Sequence, residues 1–89
     1  MSSSIEVQVL FFAKARELTG CSQSSLTLDS NTVSVGELRL LLFTTFDCLS
    51  PIRHHAIIAH NEEYKDDEAE LLTLNSGDEI AIIPPISGG

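Results

Sequence analysis

Residues 5–12, IEVQVLFF, alternate apolar and polar positions before closing on a wholly apolar end. A two-residue period in β-branched and aromatic side chains predicts a strand, with Ile5, Val7, Val9 and Phe11 sharing one face. The opposite face carries Glu6, Gln8, Leu10 and Phe12, so it begins polar and ends apolar. Those last two residues either lie under a loop or serve a docking partner. AKARELTG, 13–20, then brings good helix formers and Gly20, which can take the left-handed conformation that closes a helix, so one or two helical turns are expected. Alternation resumes in SSLTLD at 24–29, where Leu26 and Leu28 share a face of a return strand. The polar DSNT, 29–32, reads as a loop.

Ser34 and Glu37 form an S-x-x-E capping box, in which the serine hydroxyl accepts from the Glu37 N–H and the glutamate reaches back to the Ser34 N–H. The helix it starts spans 34–46, with Val35, Leu38, Leu41, Leu42, Thr45 and Phe46 at helical spacing and Leu40 and Phe43 widening the apolar face. Ser50-Pro51 breaks the pattern, because proline disfavours helix in the residue before it. AIIAH, 56–60, is a short apolar run, and NEEYKDDE after it is a polar turn region with room for a brief hairpin strand around Tyr64. NSGDE is a further turn in which Gly77 is free to take positive φ. EIAIIP, 79–84, is apolar on both faces, as expected of a strand deep in a sheet. This succession is an α+β pattern of the β-grasp kind: a mixed sheet of about four to five strands covered by one main helix plus a short helix, with a protruding tail. It occupies one domain over 1–89, the tail being 84–89.

Composition narrows the function. A chain of 89 residues supports one small core that buries roughly 60 to 65% of the unfolded surface. Hydrophobic residues at 43% and charged ones at 20% are the proportions of a folded domain rather than a disordered one. Thirteen acidic residues against five basic ones give a net charge of −8, which argues against nucleic acid and anionic membrane as partners. The same charge would steer basic protein partners or simply keep the chain soluble. Cys21 and Cys48 are too few for a disulfide scaffold and lack zinc-site spacing, so reduced, structural thiols are expected, and for Cys21 a small buried hydrophobe is preferred to a sulfur relay. MSSSIEV has no basic leader region, and no run approaches the ~20 apolar residues of a membrane span, so the cytosol is the expected location. His54, His55 and His60 with Cys48 lack paired ligand spacing; surface histidines and no metal site are expected. Asp66, Asp67, Glu68 and Glu70 lack the glycine and ligand order of a calcium loop and read as a solvated turn. No Ser/His/Asp arrangement can be read from the spacing.

The chemistry points to the ending, PPISGG. Pro84 and Pro85 have no N–H and a fixed φ, so the chain should leave the sheet there as a stiff extended segment. Ile86 is an apolar side chain beyond the last strand, suited to a partner's pocket. Gly88 and Gly89 carry no side chains, which lets the end thread a channel too narrow for a Cβ. The reactive group is the α-carboxylate of Gly89, a poor electrophile until adenylation by ATP turns one oxygen into a leaving group. Attack by an amine would then give a conjugate, and attack by a sulfur donor a thiocarboxylate. Either way the tail is the substrate of another protein's active site, and the chain itself holds no cofactor.

VLFFAKARELTG (9–20), VSVGELRLLL, IIAHNEEY and GDEIAIIPPISGG (77–89) together resemble the small, sulfur-carrier subunits of molybdopterin synthase, which are ubiquitin-like β-grasp proteins. Phe12, Ala13, Arg16, Glu17 and Gly20 meet the F-A-x-x-R-E-x-x-G pattern of that family, and His60 departs from it, standing where an apolar residue is common. The resemblance implies that an E1-like activating enzyme uses ATP to adenylate Gly89, and that a persulfide sulfur then displaces AMP. The Gly89 thiocarboxylate would donate sulfur to cyclic pyranopterin monophosphate in the active site of the large subunit, building the dithiolene of molybdopterin. It also implies a heterotetramer of two small and two large subunits, with Ser87 and Gly88 threading and the catalytic pocket lying mainly in the large subunit. Phe12, Ile83, Pro84, Pro85 and Ile86 are expected to form the docking patch beside the tail. The alternatives are a ubiquitin-like protein modifier and a sulfur carrier for tRNA thiolation or thiamine.

Overall fold

The structure, a computed structural model, describes residues 4–84. In chain order the elements are β1 (Ile5–Phe11), α1 (Lys14–Thr19), β2 (Gln23–Leu28), β3 (Thr32–Ser34), α2 (Val35–Thr45), a 3-10 helix (Asp47–Ile52), β4 (Ile57–His60), β5 (Glu63–Lys65), β6 (Leu71–Thr73) and β7 (Glu79–Ile83). Five strands form the main sheet in the order β2-β1-β7-β4-β5. β1 and β2 are antiparallel, β7 lies parallel to β1 and antiparallel to β4, and the β4–β5 hairpin closes one edge. This mixed sheet, with its parallel pair of first and last strands, is a ubiquitin-like β-grasp.

The alternation in β1 does what its period requires. Val7, Val9 and Phe11 are buried on the helix side, joined there by Leu26, Leu28, Ile58, Ile80 and Ile82 from the neighbouring strands. α2 covers this face with Leu38, Leu42 and Phe43, while Leu49 and Ile52 of the 3-10 helix close one side of the core. Phe46 sets its ring edge-on to Phe11, with centroids 5.2 Å apart, a geometry that aligns ring edge with π-face. The capping box is fully formed: the Glu37 N–H donates to Ser34 Oγ and the Ser34 N–H to Glu37 Oε1, each at 3.1 Å. Those hydrogen bonds hold the Glu37 carboxyl below its ordinary range, the backbone bond from Ser34 first. Gly20 (φ 76°) and Gly77 (φ 92°) both take the left-handed conformation expected of them.

Several expectations change. Thr32–Ser34, expected in part as loop, is β3, which pairs antiparallel with β6 in a separate two-stranded sheet. Pro51 does not end helical structure but sits within the 3-10 helix, where the looser hydrogen bonding tolerates its missing N–H. Leu40 does not extend the buried face and is 66% exposed, because the sheet covers one side of α2 and Leu40 lies on the other. Thr45 is exposed too. Cys21 and Cys48 are both exposed free thiols, so Cys21 is not the buried hydrophobe expected; the first lies in the turn after α1 and the second in the 3-10 helix, both outside the core.

The acidic run is also more than a solvated turn. Glu68 pairs with Arg39 at 2.9 Å, and Glu70 with Lys65 at 2.9 Å. Glu63 is the second partner of Lys65. Its hydrogen bond from Lys65 holds the Glu63 carboxyl below its ordinary range, while bonds to Glu63 and then Glu70 raise the lysine.

Candidate functional site

β7 delivers the chain to Pro84 from the middle of the sheet, flanked by β1 and β4. Phe11 faces Ile82 in the register of the parallel pair, and the Phe12 N–H donates to Ile82 O at 3.4 Å, so Phe12 neighbours Ile83 where the last strand ends. The β1–α1 junction is a tight turn: the Ala15 N–H donates to Phe12 O at 3.0 Å, and Ala13 has φ 51° and ψ −123°. Those angles are the first central position of a type II′ turn, which glycine occupies without strain. The turn ends β1 abruptly and leaves Phe12 47% exposed on the face opposite α2.

That face carries a groove of about 270 Å³ lined by Leu10, Phe12, Ala59, Ala81, Ile83 and Tyr64, with Glu62 and Glu79 at one end. Register explains its shape. Leu10 faces Ala81, Ala81 faces Ala59 and Ala59 faces Tyr64, a row across four strands whose two central side chains are single methyl groups. Small side chains between larger ones leave a hollow. Tyr64 is 66% exposed and forms the far wall. Among the described residues the groove presents no paired nucleophile and base.

Phe12 and Ile83 thus lie together beside the end of β7, whereas Pro84 is buried and presents little surface for contact. Pro85, Ile86, Ser87, Gly88 and Gly89 lie outside the described residues. Leu10, which the sequence marks with Phe12 for a loop or a docking partner, belongs to the same surface, as do Ala59, Ala81 and Tyr64, which the sequence does not mark as site residues. Strand alternation does place Leu10 with Phe12, but the pairing of Ala59 with Ala81 depends on a register that a single strand does not reveal.

At the opposite end of β7 the turns are clasped. His60 Nε2 lies 2.8 Å from Asp78 Oδ2, and the Asn75 N–H donates to the same oxygen at 3.0 Å. The hydrogen bond to His60, followed by that from Asn75, holds the Asp78 carboxyl below its ordinary range. His60 is therefore a half-buried partner of Asp78 rather than a surface histidine, unlike the exposed His54 and His55. On β4 His60 shares the helix-side face with Ile58.

Residues 9–89 match the ThiS family. The molybdopterin synthase sulfur carrier subunit of Drosophila yakuba is 46% identical over 85 residues, covering 96% of this chain and 92% of that protein. Among solved structures, the small archaeal modifier protein 1 of Methanosarcina acetivorans superposes with a TM-score of 0.70 at 26% identity, covering 98% of this chain and 99% of that one. In the complex of subunits 1 and 2 of the molybdopterin-converting factor from Helicobacter pylori, the matching chain gives a TM-score of 0.62 at 26% identity, with 96% and 100% covered. With the fold, the tail motif and these likenesses in agreement, the chain belongs to the ThiS family and, within it, to the sulfur carrier subunits of molybdopterin synthase.

Proposed function

We propose that this chain is the sulfur carrier of molybdopterin synthase, with Gly89 as its working residue. The observation that carries the reading is the 46% identity to a sulfur carrier subunit over nearly the whole chain, joined to a family match that runs through to Gly89. An E1-like activating enzyme uses ATP to form the Gly89 acyl adenylate. A persulfide sulfur then displaces AMP, leaving a thiocarboxylate. A thioacid is a stronger acid than a carboxylic acid, so the terminal sulfur is an anionic nucleophile near neutrality without a base from this chain. In the active site of the large subunit it attacks cyclic pyranopterin monophosphate, two such donations completing the dithiolene.

The exposed groove beside the end of β7 supports a division of labour. The groove face with Phe12 and Ile83, together with Pro85 and Ile86, docks on the large subunit; Ser87 and Gly88 thread toward its active site. The assembly is a heterotetramer of two small and two large subunits, and the cytosol is its location. Among the described residues no helix is long and apolar enough to cross a membrane.

Intact-mass measurement tests the central claim. After incubation with ATP, an activating enzyme and a sulfur source, the chain should gain the mass of one oxygen-for-sulfur exchange at Gly89, and a variant lacking Gly89 should fold but support no pterin conversion. Retained conversion would overturn the assignment. The likeness to an archaeal modifier protein favours a second reading, attachment of Gly89 to lysines; isopeptide conjugates in the same reaction would identify it.

A further inference from the structure

The open face of the sheet changes character along β7. Beside the tail it is apolar, with Phe12, Ile83 and Ile57; across the middle it is the shallow row of Leu10, Ala81, Ala59 and Tyr64; at the far end it is acidic, with Glu79 and Glu62. Three other carboxylates have cationic partners of their own, Lys65 for Glu63 and Glu70 and Arg39 for Glu68, and Asp78 is hydrogen-bonded to His60. Glu62 and Glu79 have no such partner among the described residues, and the chain as a whole carries a net charge of −8. The complement to this end of the groove therefore comes from outside the chain.

Building on the docking role assigned to this face, we infer that the large subunit seats an apolar side chain in the hollow over Ala81, between Leu10 and Tyr64, and a lysine or arginine between Glu62 and Glu79. Glu79 and Ile83 are four steps apart along β7, so the cation sits about 13 Å from the apolar end of the contact at ~3.3 Å per residue. The two ends do different work. The apolar end supplies affinity through buried area and sets the rate of dissociation. The acidic end orients the encounter and sets the rate of association, because exposed charges act over a Debye length and are screened by salt. With both ends engaged, the tail is aimed at the large subunit before it threads.

Stopped-flow association of the full chain with its large subunit tests this. Glu62→Gln with Glu79→Gln should slow association about five-fold at low ionic strength and flatten its salt dependence, the difference from wild type vanishing near 1 M salt. Glu62→Gly separates this role from a structural one. Glu62 sits at φ 73° in a two-residue turn, so glycine there relieves strain and should raise stability while still slowing association. Unchanged association rates and salt slopes in these variants would overturn the inference. Phe12→Ala and Ile83→Ala serve as the reference: if they weaken binding while the glutamate variants do not, the docking face stands and the cation site falls. Wild-type binding by all of them removes both.

Discussion

Ala13 carries the most informative backbone angles in the molecule, since φ 51° with ψ −123° lies where a side chain is disfavoured. Nothing in the residue itself favours that conformation; it is imposed by β1 on one side and α1 on the other, and its result is an exposed Phe12 beside Ile83. Ala13→Gly should stabilise the fold by about 1 kcal/mol, read as a higher urea midpoint, because glycine adopts the same turn without strain. Asp78 offers a second single-residue test. Its carboxyl lies below the ordinary value of 3.8 because of the hydrogen bonds from His60 and Asn75. A folded-state value below the unfolded one means that the contribution to stability is complete above 3.8 and is lost as pH falls beneath it. Asp78→Asn should therefore unfold at lower urea than wild type from neutrality down to that point, with the gap closing in stronger acid. A gap independent of pH would show that the charge on Asp78 does not matter.

Among the elements, those whose information is local were legible in the sequence. The capping box names the start of α2 because both of its hydrogen bonds span three residues, and Ser34→Ala should cost about 1 kcal/mol in thermal or urea unfolding. Leu38 is fully buried between α2 and the sheet, so Leu38→Ala should cost between about 2 and 5 kcal/mol in the same measurement. β3 and β6 were not legible. Each has three residues, and they exist as strands because Thr32 meets Thr73 and Ser34 meets Leu71 across the fold. Leu40 and the cysteines mislead for a related reason. Helical period shows that α2 is apolar nearly all round, but which side the sheet covers is a property of the packed molecule. Residue type alone likewise cannot tell that Cys21 lies in a turn and Cys48 in the 3-10 helix, both outside the core.

At the scale of the whole molecule, one face of the sheet builds the core and the other carries the groove. Val7, Val9, Ile80 and Ile82 point into the core beneath α2, while Leu10, Ala81 and Ile83 alternate with them into the groove. The candidate site was therefore half visible beforehand: the tail motif and Phe12 were apparent in the chain, but the groove emerges only when four strands bring one side chain each into a row. Truncating a groove wall should consequently separate binding from folding. Phe12→Ala should weaken large-subunit binding roughly ten-fold or more, as interface hot spots do, while calorimetry shows a melting temperature near that of wild type.

The central place of β7 has a mechanical consequence. A strand at the edge of a sheet can be peeled away one hydrogen bond at a time, but β7 is held by β1 along one side and β4 along the other. A pull on the tail along the strand loads both ladders together, in shear. A load on the tail is thus shared across the domain rather than concentrated at one bond. In a single-molecule experiment pulling from residue 84, the domain should yield in one abrupt step at high force, whereas pulling across β5, an edge strand, should unzip it gradually.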